Sequence, residues 1–186
     1  MNLFPRGIKA ACIFACLITG LLGSRTHAEP IEQDTVEAAM TLQLLGFTEW
    51  PDSGDRDDQA PRTIGIMNSS ASYLAFEALL NDPRFKGRFV IVPVNGQTPN
   101  EELFRCDVLF FSDPDPIEIP RLLKRIEKRP IVLIGTFEGF LEQGGLVNLV
   151  KKQRRLGFEV HLDNSKRHGI EFRAKLLRLA SRIVQE

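Results

Sequence analysis

Cysteine and histidine are scarce in this chain of 186 residues, with three of each, and tryptophan and tyrosine occur once each. Two of the cysteines, Cys12 and Cys16, lie in the apolar N-terminal run, which leaves Cys106 alone in the body of the chain. One cysteine cannot close an internal disulfide. Its setting, between Leu103-Phe104-Arg105 and an apolar run, points to a buried thiol at the start of a core strand; Arg105 alone is thin support for a reactive one. Beyond residue 28 the only histidines are His161 and His168. No G-x-S-x-G turn is present to serve with either as a nucleophile and base. H-E-x-x-H, C-x-x-C, a P-loop and G-x-G-x-x-G are missing as well, so neither metal, cofactor nor reaction is expected.

Long hydrophobic runs are also few. The only pronounced one, Ile8 to Leu22, follows a short basic start and is followed by small and polar residues ending in Thr26-His27-Ala28. This is the layout of a secretory signal peptide cleaved after Ala28. The competing reading, a retained anchor, asks for roughly 20 apolar residues, and Ala10 to Leu22 supplies about 13 with Thr19 and Gly20 inside. Residues 1–28 are therefore expected to be a signal peptide and 29–186 one exported domain, which in a bacterium means the periplasm.

Charge of one sign does not dominate: Lys plus Arg and Asp plus Glu are 24 each. That balance offers no electrostatic footprint for nucleic acid. The distribution is uneven, with 11 basic and 20 acidic residues in 29–150 and 10 basic and four acidic in 151–186. The basic end could meet phosphate or an acidic partner, or simply solvate a terminal helix and a hairpin tip.

Val36, Met40, Leu44 and Phe47 recur at helical spacing, which predicts a helix over Ile31 to Phe47 with those residues on its apolar face. Asp52 to Gln59 reads as an exposed acidic loop; as a calcium loop it fails, since Asp57 and Thr63 stand where Gly and Glu are required. From Arg62 short apolar runs begin: Thr63 to Met67, Arg88 to Val92, Val108 to Ser112 and Ile131 to Gly135. Their length and composition predict buried strands. Helical segments at Tyr73 to Leu80, Asn100 to Phe104 and Pro120 to Glu127 alternate with them. The fold class implied is α/β, a mostly parallel sheet with helices on both faces in a Rossmann-like or flavodoxin-like three-layer arrangement.

Leu146 to Val150 and Leu156 to Leu162 are separated only by Lys151 to Arg155, too short for a crossover, and predict an antiparallel hairpin closing the sheet. In its second strand Phe158 and Val160 alternate with Glu159 and His161, so the latter two are expected to face solvent or a partner. A final helix is predicted from Lys166 to Val184, capped by Asn164 or Ser165, with Leu179 and Ile183 in its buried stripe. Asn68, Ser69 and Ser70 follow the first long strand and open a helix, a weak anion- or ligand-binding signal that a cap and turn also explain.

Seven short pieces in order resemble the YfiR-like family of periplasmic proteins, over about Val36 to Ile183. They are F-T-E-W-P (Phe47 to Pro51), I-G-I-M-N (Ile64 to Asn68), R-C-D-V-L-F-F-S (Arg105 to Ser112), P-I-V-L-I-G (Pro130 to Gly135), F-L-E-Q-G-G-L-V-N-L (Phe140 to Leu149), G-F-E-V-H-L (Gly157 to Leu162) and K-L-L-R-L-A (Lys175 to Ala180). The resemblance implies a repressor that binds the periplasmic sensor domain of an inner-membrane diguanylate cyclase, lowering cyclic di-GMP and biofilm formation. Many relatives carry disulfide-forming cysteines near the hairpin, where this chain has Leu146, Asn148 and Leu149. A different class, a periplasmic small-molecule sensor or solute-binding protein, would use Asn68 to Ser72.

On the repressor reading the partner surface is expected on the hairpin and the start of the last helix: Phe158, Glu159, His161, Ile170, Glu171, Phe172 and Arg173. Ile170 and Phe172 cannot both face the core of a helix, being about 200° apart, so one is expected to be an exposed apolar anchor. A homodimer pairing through an exposed hairpin edge is expected too.

Overall fold

The computed structural model describes residues 29–51, 60–153 and 155–185; the expected signal peptide and the acidic loop Asp52 to Gln59 lie outside them. Helix α1 (Glu29–Leu45) leads into a two-residue strand β1 (Thr48–Glu49). Three strand and helix pairs follow: β2 (Arg62–Met67) and α2 (Ser70–Leu80), β3 (Phe89–Val94) and α3 (Asn100–Leu103), β4 (Val108–Phe111) and α4 (Glu118–Arg125). After β5 (Val132–Gly135) come β6 (Val147–Lys152), β7 (Arg155–His161), α5 (Leu162–Arg167), β8 (Glu171–Phe172), α6 (Ala174–Leu177) and β9 (Arg182–Val184).

The main sheet has seven strands in the order β3-β2-β4-β5-β6-β7-β9. Every pair is parallel except β6 with β7. Crossover helices make this the favoured solution for strands whose residues are apolar throughout, as Val108 to Phe111 and Val132 to Gly135 are. Successive side chains of a strand point to opposite faces. Phe110 meets Phe76 of α2 edge-on at 5.1 Å on one face, and Phe111 meets Phe140 at 5.2 Å on the other. Both faces of the sheet are thus covered. Phe140 reaches its place because two glycines make room: a Cβ on Gly135 or Gly145 would stand 2.4 or 2.3 Å from its ring.

Several expectations are corrected. On α1, Val36 is 46% exposed, whereas Glu37, Ala38, Thr41, Leu42, Leu44 and Leu45 are buried. The buried stripe is wider than the expected one and rotated from it, because the helix packs against both the sheet and α2. The single final helix is replaced by α5, β8, α6 and β9. Gly169, at φ +67°, ends α5 in the left-handed conformation that glycine adopts without strain. The cap of α5 is His161, whose ring Nδ1 accepts the Asn164 N–H at 3.3 Å. Asn164 and Ser165 lie inside the helix and bind backbone carbonyls instead. With the helix broken, Leu179 and Ile183 are 67% and 44% exposed and form no buried stripe.

The hairpin forms antiparallel as expected, and its register sets Asn148 opposite Glu159 and Leu149 opposite Phe158. It is not the edge of the sheet, since β9 adds in parallel along β7; the open edges are β3 and β9.

Candidate functional site

Strand order fixes where a ligand can enter. From β2 the chain steps outward to β3, then crosses back to β4 on the other side, so β2 and β4 diverge in their connections at their carboxyl ends. Sheets of this kind bind ligands at that switch point. Asn68 and Ser69 follow β2 there, Ser112 and Asp113 follow β4, and Thr136 follows β5.

Two further elements turn the strand ends into a groove. Strand β5 stops at Gly135, level with Asn148, while β6 runs on to Lys152, so the hairpin rises above the sheet as a wall. The N-terminal half of α1 supplies Gln33, Asp34 and Glu37 on the other side. The result is a cleft of about 450 Å³, lined also by Ser69, Ser112, Asp113, Thr136 and Lys151. A second cleft of about 570 Å³ shares Thr136 and Lys151 with it and continues past Glu138, Asn148, Glu159 and Arg182.

The first cleft is predominantly acidic. Glu37 is 4% exposed, and burial pushes its carboxyl above the usual range, partly offset by the hydrogen bond it accepts from Gln33 Nε2 at 2.8 Å. Asp34 accepts from Ser72 Oγ at 3.1 Å, and Lys151 Nζ donates to Gln33 Oε1 at 3.3 Å. Ser112 Oγ and Asn148 Oδ1 are buried and have no hydrogen-bond partner. Among the described residues no three His, Cys, Asp or Glu side chains stand close enough together to hold a metal ion.

The residues expected to form one surface are divided. Phe158 and Ile170 are buried, the latter 1% exposed, so Ile170 is not the exposed anchor. Glu159 and His161 are buried as well, at 8% and 4%. A polar face of a strand becomes interior once α5 and β9 close over it, provided its groups are paired. Glu159 accepts from Arg182 Nε at 2.8 Å and lies 3.5 Å from Lys152 Nζ. Glu171 and Phe172 pair with Glu49 and Thr48 in a small antiparallel sheet at the amino end of the main strands. Arg173 Nε donates to Glu49 Oε1 at 2.8 Å. Glu171 and Arg173 are exposed, and Phe172 is half-buried.

Of the weak ligand signal, Ser69 caps α2, its Oγ accepting the Ser72 N–H at 3.2 Å, and lines the acidic cleft. Asn68, at φ +48°, instead reaches Glu118 Oε2 at 2.8 Å. Asn68, Ser69 and Ser70 border a separate apolar cleft beside Leu74 and Pro93. Sequence reading missed Asp34, Glu37, Ser112, Asp113, Thr136, Asn148 and Lys151. Two signals were legible: a polar residue directly after each buried strand, and an asparagine inside the apolar run L-V-N-L-V.

The architecture recurs in solved structures. A conserved domain protein from Vibrio cholerae O1 biovar El Tor superposes with a TM-score of 0.56 at 11% identity, covering 81% of this chain and 60% of that one. An ABC domain in complex with L-Trp from Streptococcus pneumoniae gives 0.54 at 14%, covering 80% and 60%. The chain spans about 60% of the length of both, and at these identities the likeness concerns the fold. No curated protein matches. The sequence pieces quoted above lie on β1 to α6 in one continuous α/β domain, and a family model described as YfiR/HmsC-like matches residues 34–181 across that same span. This chain belongs to the YfiR/HmsC-like family.

Proposed function

We propose that this protein is a periplasmic regulator of cyclic di-GMP signalling that binds the sensor domain of an inner-membrane diguanylate cyclase and holds it inactive, with no reaction of its own. Membership of the YfiR/HmsC-like family over residues 34–181 carries this reading. The partner surface we assign to the segment from Glu171 to Leu179. Glu171 and Arg173 stand exposed there, Phe172 is half-buried, and Leu179, 67% exposed, takes the anchoring role expected of Ile170 or Phe172. Phe158, Glu159, His161 and Ile170 act from beneath, as the buried floor that positions it. Deleting the gene raises cellular cyclic di-GMP if the reading is right, and no rise in a strain carrying the cyclase removes it. Leu179→Asp and Arg173→Ala then weaken binding to the isolated sensor domain without unfolding the chain.

A twofold homodimer forms part of the same proposal. With β7 covered, the longer open edge is β3, where Val90 is 45% exposed. Sedimentation of the wild type as a dimer and of Val90→Lys as a monomer is the expected pair of results.

A further inference from the structure

We propose that the cleft between α4 and α5 binds a medium-chain hydroxy carboxylate, its hydroxyl on His168, its carboxylate on Lys124 and Lys128, and its alkyl chain on the apolar floor. The cleft holds about 580 Å³, within the range of small-ligand sites, and shares no lining residue with the clefts described above. Its floor is Pro120 and Leu123 of α4 over Leu133 of β5. Lysine stems lie along apolar surface of this kind and keep their ammonium groups in water, so Lys124 and Lys128 can extend the floor as well as charge the rim.

The polar group that sets this cleft apart is His168. It is 8% exposed and lines the cleft. Its Nδ1 lies 2.7 Å from the Arg129 carbonyl oxygen, which can only accept, so Nδ1 carries the proton and Nε2 a bare lone pair. Burial, which lowers the pKa of the ring, keeps it uncharged at neutral pH. The two nitrogens flank one carbon, so with Nδ1 turned to Arg129 inside the fold, Nε2 falls on the part of the ring left to the cleft. No hydrogen bond reaches Nε2 among the described residues. An acceptor held in a nearly buried ring and left without a donor is costly unless something in the cleft supplies one.

Charge selects which donor. Lys124 and Lys128 are exposed and hold no ion pair among the described residues, and Arg167 adds a third cation at the rim, with Nη1 donating to Asn164 Oδ1 at 2.9 Å. Glu127 is the one carboxylate among the residues lining the cleft. Two unpaired lysines could serve only to solvate α4, but that role does not involve the buried acceptor beside them. An ammonium donor would satisfy His168 and be repelled by the three cations; a plain fatty acid would meet the lysines and leave Nε2 bare. A hydroxyl near a carboxylate on an alkyl chain meets all three parts of the cleft. This inference is independent of the cyclase reading, and its test involves no cyclase.

The probe is 3-hydroxyoctanoate, titrated calorimetrically into the mature chain below its micellar concentration. Octanoate, 1,3-octanediol and 3-hydroxybutyrate are the comparisons, lacking in turn the hydroxyl, the charge and most of the chain. Saturable binding of 3-hydroxyoctanoate is expected, at least about tenfold tighter than each of the three. Lys124→Gln with Lys128→Gln should weaken it at least about tenfold, whereas Lys86→Gln, at an exposed position outside the cleft, should not change it. The Nε2 resonance of His168 should move on saturation with 3-hydroxyoctanoate and stay in place with octanoate. No saturable heat at millimolar 3-hydroxyoctanoate overturns the proposal. So does an affinity matched by octanoate, by the diol or by 3-hydroxybutyrate, an affinity unchanged in the double lysine variant or equally reduced in Lys86→Gln, or a His168 resonance that does not respond.

Discussion

The side-chain amide of Asn164 donates to the carbonyl oxygen of Gly145 at 3.0 Å, and its second N–H donates to Leu141 at the same distance. Asn164 is 4% exposed, so it ties α5 to the turn before β6 with no water to substitute. Asn164→Ala is expected to lower unfolding free energy by about 2–3 kcal/mol, since two buried carbonyls lose a donor. Asn164→Asp should cost more, placing a carboxylate against them. Urea midpoints of the two variants check the order.

Phe140 lies against Gly135 and Gly145, and the two glycines differ in what an added methyl would meet. At Gly135 the obstacles are all ring atoms, while at Gly145 the Phe140 carbonyl oxygen stands 2.8 Å away as well. Each alanine substitution should destabilise by about 2–3 kcal/mol through overpacking. Phe140→Leu should recover part of the loss in Gly135→Ala and little in Gly145→Ala, because a side-chain change does not move a backbone oxygen. Thermal melts of the two double variants distinguish these outcomes.

Cys106 is 4% exposed, with Sγ 3.8 Å from the Glu102 carbonyl oxygen. Burial, with a lesser contribution from neighbouring Asp107, pushes its thiol up to about 11. The folded protein should therefore react slowly with thiol reagents at neutral pH, and at the rate of free cysteine once denatured. Fast labelling of the native protein would contradict the buried setting.

Glu37 and His168 bias stability in opposite directions with pH. Burial raises the Glu37 carboxyl above the ordinary glutamate value of 4.5, so its contribution is full below that value and is lost as pH rises through the folded one. Burial lowers His168 below 6.5 despite its Nδ1–H donating to the Arg129 carbonyl, so its contribution is present above 6.5 and is lost as pH falls through the folded value. Glu37→Gln keeps an acceptor for Gln33 and removes the first effect. It should match the wild type near pH 4 and exceed it in stability near pH 7, a comparison that denaturant titrations at the two pH values resolve.

The sequence by itself determined the elements whose signal is local and repeated. Apolar runs such as Val108 to Phe111 and Val132 to Gly135 can only be strands covered on both faces, and their alternation with helical segments dictates parallel crossovers. The short Lys151 to Arg155 link forces an antiparallel hairpin for the same reason of reach. The tertiary structure decided everything that depended on distant neighbours. Periodicity could not reveal that Gly169 would end a helix that Leu176, Leu179 and Ile183 appeared to continue, nor that residues 182–184 would become a strand beside β7. Glu159 and His161 read as a solvent face because alternation reports polarity, while burial depends on what covers the strand; Arg182 and α5 supply the cover and the partners. The groove belongs to the same category. Asp34, Asp113, Glu138 and Asn148 are scattered along the chain, and only the switch in strand order and the height of the hairpin bring them to the rim of one cleft system.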